Sequence, residues 1–292
     1  VSGFGSFPSR GSELYAFTGA TFTPGSASGR TGPSLSQARS GLTGTGVSAW
    51  KNNTSYFNTS NGIQLWTVPA NGTYELSIAG ARGGNSGYGS RAGGQGARLK
   101  VNAVLTSGTT LNIVIGQQGR SGNPGRGGGG GGGSFVYSGS IGGTGLIIAA
   151  GGGGGADDNS QNGSHARSDL NPTGRSGAQI TNDGLAGTSS QGNGTGWLTS
   201  GSGSRDGQRF TGGAAVDYGV GGWGGGGGDG DDGGSGAGFS GGDLSHGAGA
   251  GGSYYAGLSV SGGFTSTYAA SVSNYSWVSN NNGDGFLVIT KQ

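Results

Sequence analysis

The chain contains two histidines, His165 and His246, and no cysteine. A hydrolytic site needs a nucleophile, a base and a group that orients the base, all held on a rigid scaffold. Both histidines fall in loop-like stretches, "NGSHARSD" and "GDLSHGAGA", with no strand-forming residues beside them. They are read as exposed loop side chains and the chain as non-enzymatic. The absence of cysteine removes disulfides, thiolate catalysis and Cys-based metal sites together. The glycine tracts imitate phosphate-binding loops, yet no Gly-Lys-Ser/Thr follows any of them, so nucleotide binding is not expected.

The acidic residues give a second candidate chemistry. Asp157 and Asp158 are adjacent, and Asp229, Asp231 and Asp232 crowd the segment "GGDGDDGG". That segment is similar to one copy of a calcium-binding nonapeptide repeat, whose acids ligate Ca²⁺ through carboxylate and backbone oxygens. It occurs once, and its apolar position is Gly234. Neighbouring acids within glycine are by default solvated turns; the alternative is a Ca²⁺ loop, and no other cofactor is expected. Recognition has a different set of candidates: Trp197, Tyr218, Trp223, Phe239, Tyr254 and Tyr255, in or beside glycine-rich sequence. Such rings either cap a glycine-rich structure or form an exposed platform for sugar faces and protein pockets. Asn-x-Ser/Thr triplets at Asn52, Asn53, Asn58 and Asn71 could accept glycans in a eukaryote.

Those residues must be positioned by strands. "GIQLWTV" and "TYELSIA" alternate apolar and polar residues across "PANG", and residues 97–105 and 110–115 do so across "TSGT". Residues 134–137 and 146–150 form a third apolar pair, and "GFLVIT" closes the chain. Each pair reads as a hairpin. Residues 14–22 are a further strand candidate. Pro33 to Leu42 hold the one expected helix, with Ser34 as its cap. Many short strands with almost no helix predict an all-β antiparallel sandwich. Residues 1–13 read as an N-terminal arm and 14–292 as one domain with glycine-rich insertions at about 116–133 and 151–262.

Of 292 residues, 78 are glycine, and the purest runs abut the best strand formers, as in "GGGGGGGSFVY" and "LIIAAGGGGG". Glycine is the costliest residue to order, so such a run is either a slack linker or a packed structure that only glycine permits. Three-residue-per-turn extended helices without Cβ atoms can lie side by side and hydrogen-bond to one another. Strands at both ends of each run would anchor that packing.

The ordered series "GIQLWTVPANGTYELSIAGARGG", "LNIVIGQQG", "GGGGGGGSFVY", "LIIAAGGGGG", "GGWGGGGGDG" and "GDGFLVIT" resembles the glycine-rich extracellular region of the anaplastic lymphoma kinase and leukocyte tyrosine kinase receptors. Similar domains occur in bacterial and bacteriophage surface proteins. The resemblance implies a sandwich like that of tumour necrosis factor, with an inserted bundle of packed polyglycine helices. It is one of architecture, and no ligand contact is carried over from the receptors.

A net charge of +2 offers no electrostatic footprint for nucleic acid, and no apolar run is long enough to span a bilayer. The reading is an extracellular, cell-surface or virion module: a fibre, adhesin or filament subunit that displays a rigid recognition surface. The alternative is a ligand-binding receptor ectodomain fragment. The expected partners are other copies or subunits, and a cell-surface glycan or protein receptor. Phe4 and Phe7 of the arm are the expected assembly contact with a neighbouring subunit.

Overall fold

The computed structural model describes residues 13–88, 91–158, 161–167, 169, 184–188, 192–214, 219–228, 232–243, 248–260 and 263–292. Among these residues the strands are β1 (Gly19–Phe22), β2 (Phe57–Ser60), β3 (Ile63–Thr67), β4 (Gly72–Ala79), β5 (Gly96–Leu105) and β6 (Thr110–Val114), followed by β7 (Ser134–Tyr137), β8 (Leu146–Ala150), β9 (Tyr254–Tyr255), β10 (Val272–Asn281) and β11 (Phe286–Lys291). One antiparallel sheet has the order β1-β11-β4-β5-β10, the other β2-β3-β6-β7-β8-β9. The fold is therefore mostly β, as the alternating runs predict.

The alternation works as expected in the first sheet. Tyr74, Leu76 and Ile78 of β4, Leu99 and Val101 of β5, and Leu287 and Ile289 of β11 all turn inward and are buried. They meet Trp66, Leu111, Ile113 and Val136 of the other sheet in one core. The pairing differs from the expected hairpins in two places. β3 and β4, joined by "PANG", lie in different sheets, and so do β5 and β6 across "TSGT". These short turns carry the chain from one layer to the other, which lets the inward faces of the joined strands oppose each other. Only β7 and β8 form the expected hairpin.

The single α-helix among the described residues, α1 (Leu35–Gly41), begins at Ser34 in a capping box with Gln37. It buries Ala38 and packs against β1 and β2. β1 is shorter than the expected strand over 14–22. Residues before it instead supply Phe17, which packs 5.1 Å from Trp66. Three strands were not foreseen: β2, β9 and β10. β10 reads "VSNYSWVSNN" and has no clean alternation, because register shifts interrupt its pairing with β5.

β7 and β8 are buried along their whole length. Val136 faces the sandwich core, whereas Phe135 and Tyr137 face a second cluster on the other side of the sheet. The glycine-rich insertion supplies the cover: Phe210 lies 4.9 Å from Phe135, and Trp197 5.0 Å from Tyr137. This double burial explains why both strands read as unbroken apolar runs.

Candidate recognition surface

Antiparallel pairing brings the end of β4 beside the start of β5, the end of β6 beside the start of β7, and the end of β8 beside the start of β9. The glycine-rich segments leave the sheets at these points. Ser134 ties the two sheets together there: its hydroxyl donates to the Ala79 carbonyl (2.6 Å) and accepts from the Gly116 amide (2.9 Å).

Beyond that junction the hydrogen bonding changes period. A strand alternates between its neighbours every second residue. Residues 128–133 return to the same neighbour every third residue. Gly128 and Gly131 donate to the carbonyls of Ala156 and Gly153, both at 2.8 Å. Gly129 and Gly132 donate to Arg120 (2.9 Å) and Gln117 (3.0 Å), and Gly130 and Gly133 to Gly227 (2.8 Å) and Gly224 (3.2 Å). The carbonyls repeat the pattern: those of Gly129 and Gly132 accept from Gly84 and Ala81, those of Gly128 and Gly131 from Gly234 and Ala237. The segment is buried and bonded on all sides, so the slack-linker alternative does not describe it.

Close approach is what demands glycine here. A Cβ on Gly130 would lie 2.0 Å from the Ser235 carbonyl oxygen, and one on Gly153 2.0 Å from that of Gly94. Neither neighbour is a movable side chain, so any larger residue must push whole segments apart. The insertion from 80 to 95 takes part in this structure as fully as the two tracts singled out from sequence: Gly83 donates to Gly94 (2.9 Å), and Gly94 to Gly154 (2.7 Å).

Side chains of any size reappear where the segments turn. The turn residues 85–88 meet the turn around 120–126: Gly87 donates to the Arg126 carbonyl (2.8 Å), Gly122 to that of Asn85 (3.0 Å), and the Asn85 amide to the Ser121 hydroxyl (3.3 Å). On their other flank Ala92 donates to the Asn162 side-chain carbonyl (2.9 Å), and Gly163 to the Ala92 carbonyl (2.9 Å). Arg82 braces the base through Asn85. The joined turns expose Arg120, Asn123 and Asn162, and Tyr88 is 61% exposed with its phenol over Gly125. Nothing in the sequence reading singled out Tyr88; the available signal was one aromatic residue in "NSGYGSRAGG", a stretch otherwise without apolar bulk.

The aromatic residues proposed from sequence lie elsewhere. Trp197, Trp223, Phe239 and Tyr254 are buried in the second cluster and form no exposed platform. Their rings cover the outer side of β7 and β8, where apolar area leaves water. Phe239 stacks on Tyr254 at 4.6 Å, and both contact Phe264 at 5.5 Å or less. Tyr254, Leu258, Val260, Phe264 and Ser266 line a cavity of about 260 Å³. Burial pushes the Tyr254 phenol up to about 12, partly offset by Ser266. Tyr255 is half-buried and stacks on Tyr275 at 4.1 Å, closing the sandwich between β9 and β10. Phe4, Phe7, Tyr218, Asp229, Asp231 and His246 lie outside the described residues. Asp232 is exposed. No group of acids or histidines able to hold a metal occurs among the described residues. His165 is exposed and accepts from the Gln95 amide (2.9 Å), a contact that anchors its loop.

No protein-family profile matches the chain. A stretch of 99 residues is 34% identical to the leukocyte tyrosine kinase receptor of Mus musculus, covering 34% of this chain and 11% of the receptor's length. This match supports a relation to that receptor family. Among the described residues no helix is long and apolar enough to cross a membrane.

Proposed function

We propose that the chain is a non-enzymatic extracellular recognition module. In this reading a sandwich of the tumour-necrosis-factor type carries a bundle of polyglycine helices of the polyproline-II kind, and the outer turns of the bundle bind a partner protein. The observation that carries the reading is the three-residue hydrogen-bond period, which equals the residues per turn of that helix. A bundle without side chains cannot recognise anything along its length. It can hold its turns rigidly, and a preorganised surface loses less entropy on binding. Tyr, Arg and Asn, the residue types the turns expose, are those that anchor and adapt protein interfaces.

Display on a fibre or adhesin, with a cell-surface receptor or glycan as target, is one setting for such a module. The match to a tyrosine kinase receptor favours a second, a ligand-binding receptor segment. The same experiment tests the surface in either setting. Labelled protein is screened against panels of intact cells, secreted proteins and glycans, then compared with Tyr88→Ala and Arg120→Glu. Both variants keep the wild-type melting temperature, and each weakens binding by about tenfold or more. Unchanged binding by both variants would move recognition away from the turns. A measurable chemical turnover would end the non-enzymatic reading.

A further inference from the structure

Five Asn-Gly pairs occur in the chain, beginning at Asn61, Asn71, Asn162, Asn193 and Asn282. In such a pair the asparagine side chain can close a ring onto the following backbone amide, because glycine places no Cβ beside the attacking nitrogen. Whether a pair reacts depends on how firmly its surroundings hold it. Four of the five are held. The side-chain oxygen of Asn71 accepts from the Ser107 amide (2.7 Å), and that of Asn162 from the Ala92 amide (2.9 Å). Asn193 is buried, and its side chain donates to Asp206 (3.2 Å). Asn61 is exposed, but Asn61 and Gly62 form a left-handed turn with φ of 49° and 82°. A Cβ on Gly62 would lie 2.5 Å from the Gly32 Cα, so that backbone has no room to rotate.

Asn282 is different. Its side chain is exposed, and neither that side chain nor the Gly283 amide has a hydrogen-bond partner among the described residues. A Cβ on Gly283 would meet nothing within 4 Å, so the two reacting groups are free to turn toward each other. The position matters because of what its turn holds. Residues 282–285 join β10 to β11 and tie down the places where glycine-rich segments leave β4 and β6. The Gly283 carbonyl accepts from the Arg82 amide (2.9 Å), the Asp284 carboxylate from the Gln118 amide (2.8 Å), and Gly285 donates to the Gly116 carbonyl (2.8 Å). Beside them the Asn281 side chain donates to the carbonyls of Gly80 (2.9 Å) and Asp284 (2.8 Å).

We infer that Asn282 is a site of spontaneous modification, and that its conversion to aspartate or isoaspartate loosens the base of the glycine-rich segments. The Gly283 nitrogen gives up its proton to water and attacks the Asn282 Cγ. The new N–Cγ bond closes a five-membered imide ring, the Cγ–Nδ2 bond breaks, and ammonia leaves. One water then opens the ring. Attack at Cγ leaves aspartate; attack at the Asn282 main-chain carbonyl carbon leaves isoaspartate, with the main chain rerouted through Cβ and Cγ. Either product puts a second carboxylate two residues from Asp284, and like charges so placed oppose each other. Isoaspartate also adds a methylene to the main chain just before the carbonyl that holds Arg82. The site lies at the base of the segments and is independent of what their outer turns recognise.

The test ages the purified full chain at mildly alkaline pH and follows all five pairs by peptide mass mapping, with enzymatic methylation marking isoaspartate. Asn282 converts about tenfold or more faster than any of the other four, which must first open locally. Gly283→Ala, whose Cβ has room in the fold but shields the attacking nitrogen, slows the conversion by about tenfold. In the converted protein the amides of Arg82, Gln118 and Gly285 exchange about tenfold faster than in fresh protein while the β4 amides stay protected. Aged Gly283→Ala shows no such rise. Conversion of Asn282 no faster than that of the held pairs, or unslowed by Gly283→Ala, would overturn the site. Conversion that leaves those three amides exchanging as before would overturn its effect on the base.

Discussion

The sandwich and the hydrogen-bonded, closely packed glycine-rich segments, here called the bundle, are continuous in backbone yet held by opposite means. In the sandwich, side chains fill the space between sheets: Trp66, Tyr74, Phe22 and Phe57 are fully buried and touch one another. Hydrogen bonds there serve mainly to avoid leaving polar groups unpaired. In the bundle there is little side chain to bury, and cohesion comes from backbone hydrogen bonds in several directions plus the close packing of main chain on main chain. The difference teaches that tolerance to substitution should run in opposite senses. A sandwich position is damaged by removing atoms, a bundle position by adding them.

The strongest test is Gly130→Val. Its Cβ would meet the Ser235 carbonyl at 2.0 Å, and the expected loss is about 3 kcal/mol or more, at or beyond the upper end of the usual overpacking range. Chemical denaturation measures it, with loss of amide protection in 128–133 as the local signature. A variant as stable as wild type would end the comparison. Trp66→Ala is the reciprocal case in the sandwich, with an expected cost of about 3–5 kcal/mol from lost burial and the cavity left behind. Its bundle amides should remain protected below the transition if the two regions are separately held.

A smaller effect sharpens the boundary between them. The turn before β11 clamps the base of the bundle: Asp284 accepts from the Gln118 amide (2.8 Å), and Arg82 donates to the Gly283 carbonyl (2.9 Å). Burial raises the Asp284 carboxyl above its ordinary value, with the Gln118 amide working the other way. A raised folded-state value means that this group's contribution is fully present below its unfolded value, about 4. It is lost as pH rises through the folded value. Asp284→Asn keeps an acceptor for Gln118 and removes the titration. The variant's stability should therefore fall less than wild type's as pH rises from acid through that range; identical pH profiles would exclude the assignment. The smallest effect is the control. A Cβ on Gly283 meets nothing within 4 Å, so Gly283→Ala should be neutral or stabilising by up to about 1 kcal/mol. A large loss there would show that glycine content itself, rather than close approach, governs the region.

Much of this was written locally. Alternation in "TYELSIA" and "GFLVIT" specifies strands and their inward faces, and Ser34 and Gln37 specify where the helix starts, because both follow from backbone period and nearest-neighbour hydrogen bonds. The purity of residues 127–133 and 151–155 specifies that no Cβ is wanted there. The sheet to which each strand belongs was not local. "PANG" and "TSGT" are compatible with a hairpin or a crossing between layers, and only the match of whole inward faces selects the crossing. The fate of Trp197, Trp223, Phe239 and Tyr254 was likewise open, since an aromatic residue within glycine has no local partner. Burial came from the outer side of β7 and β8, more than fifty residues away from most of them. Tyr88 illustrates the converse. One ring in a polar turn carries no periodic signal, and it becomes a candidate contact because segments distant in sequence hold that turn at the surface. The sequence alone determined strand faces, the helix cap and the places where side chains are excluded, all set by short-range geometry. Tertiary structure decided which strands share a sheet, which aromatics are covered and which turns face outward, because those depend on long-range packing that no local window contains.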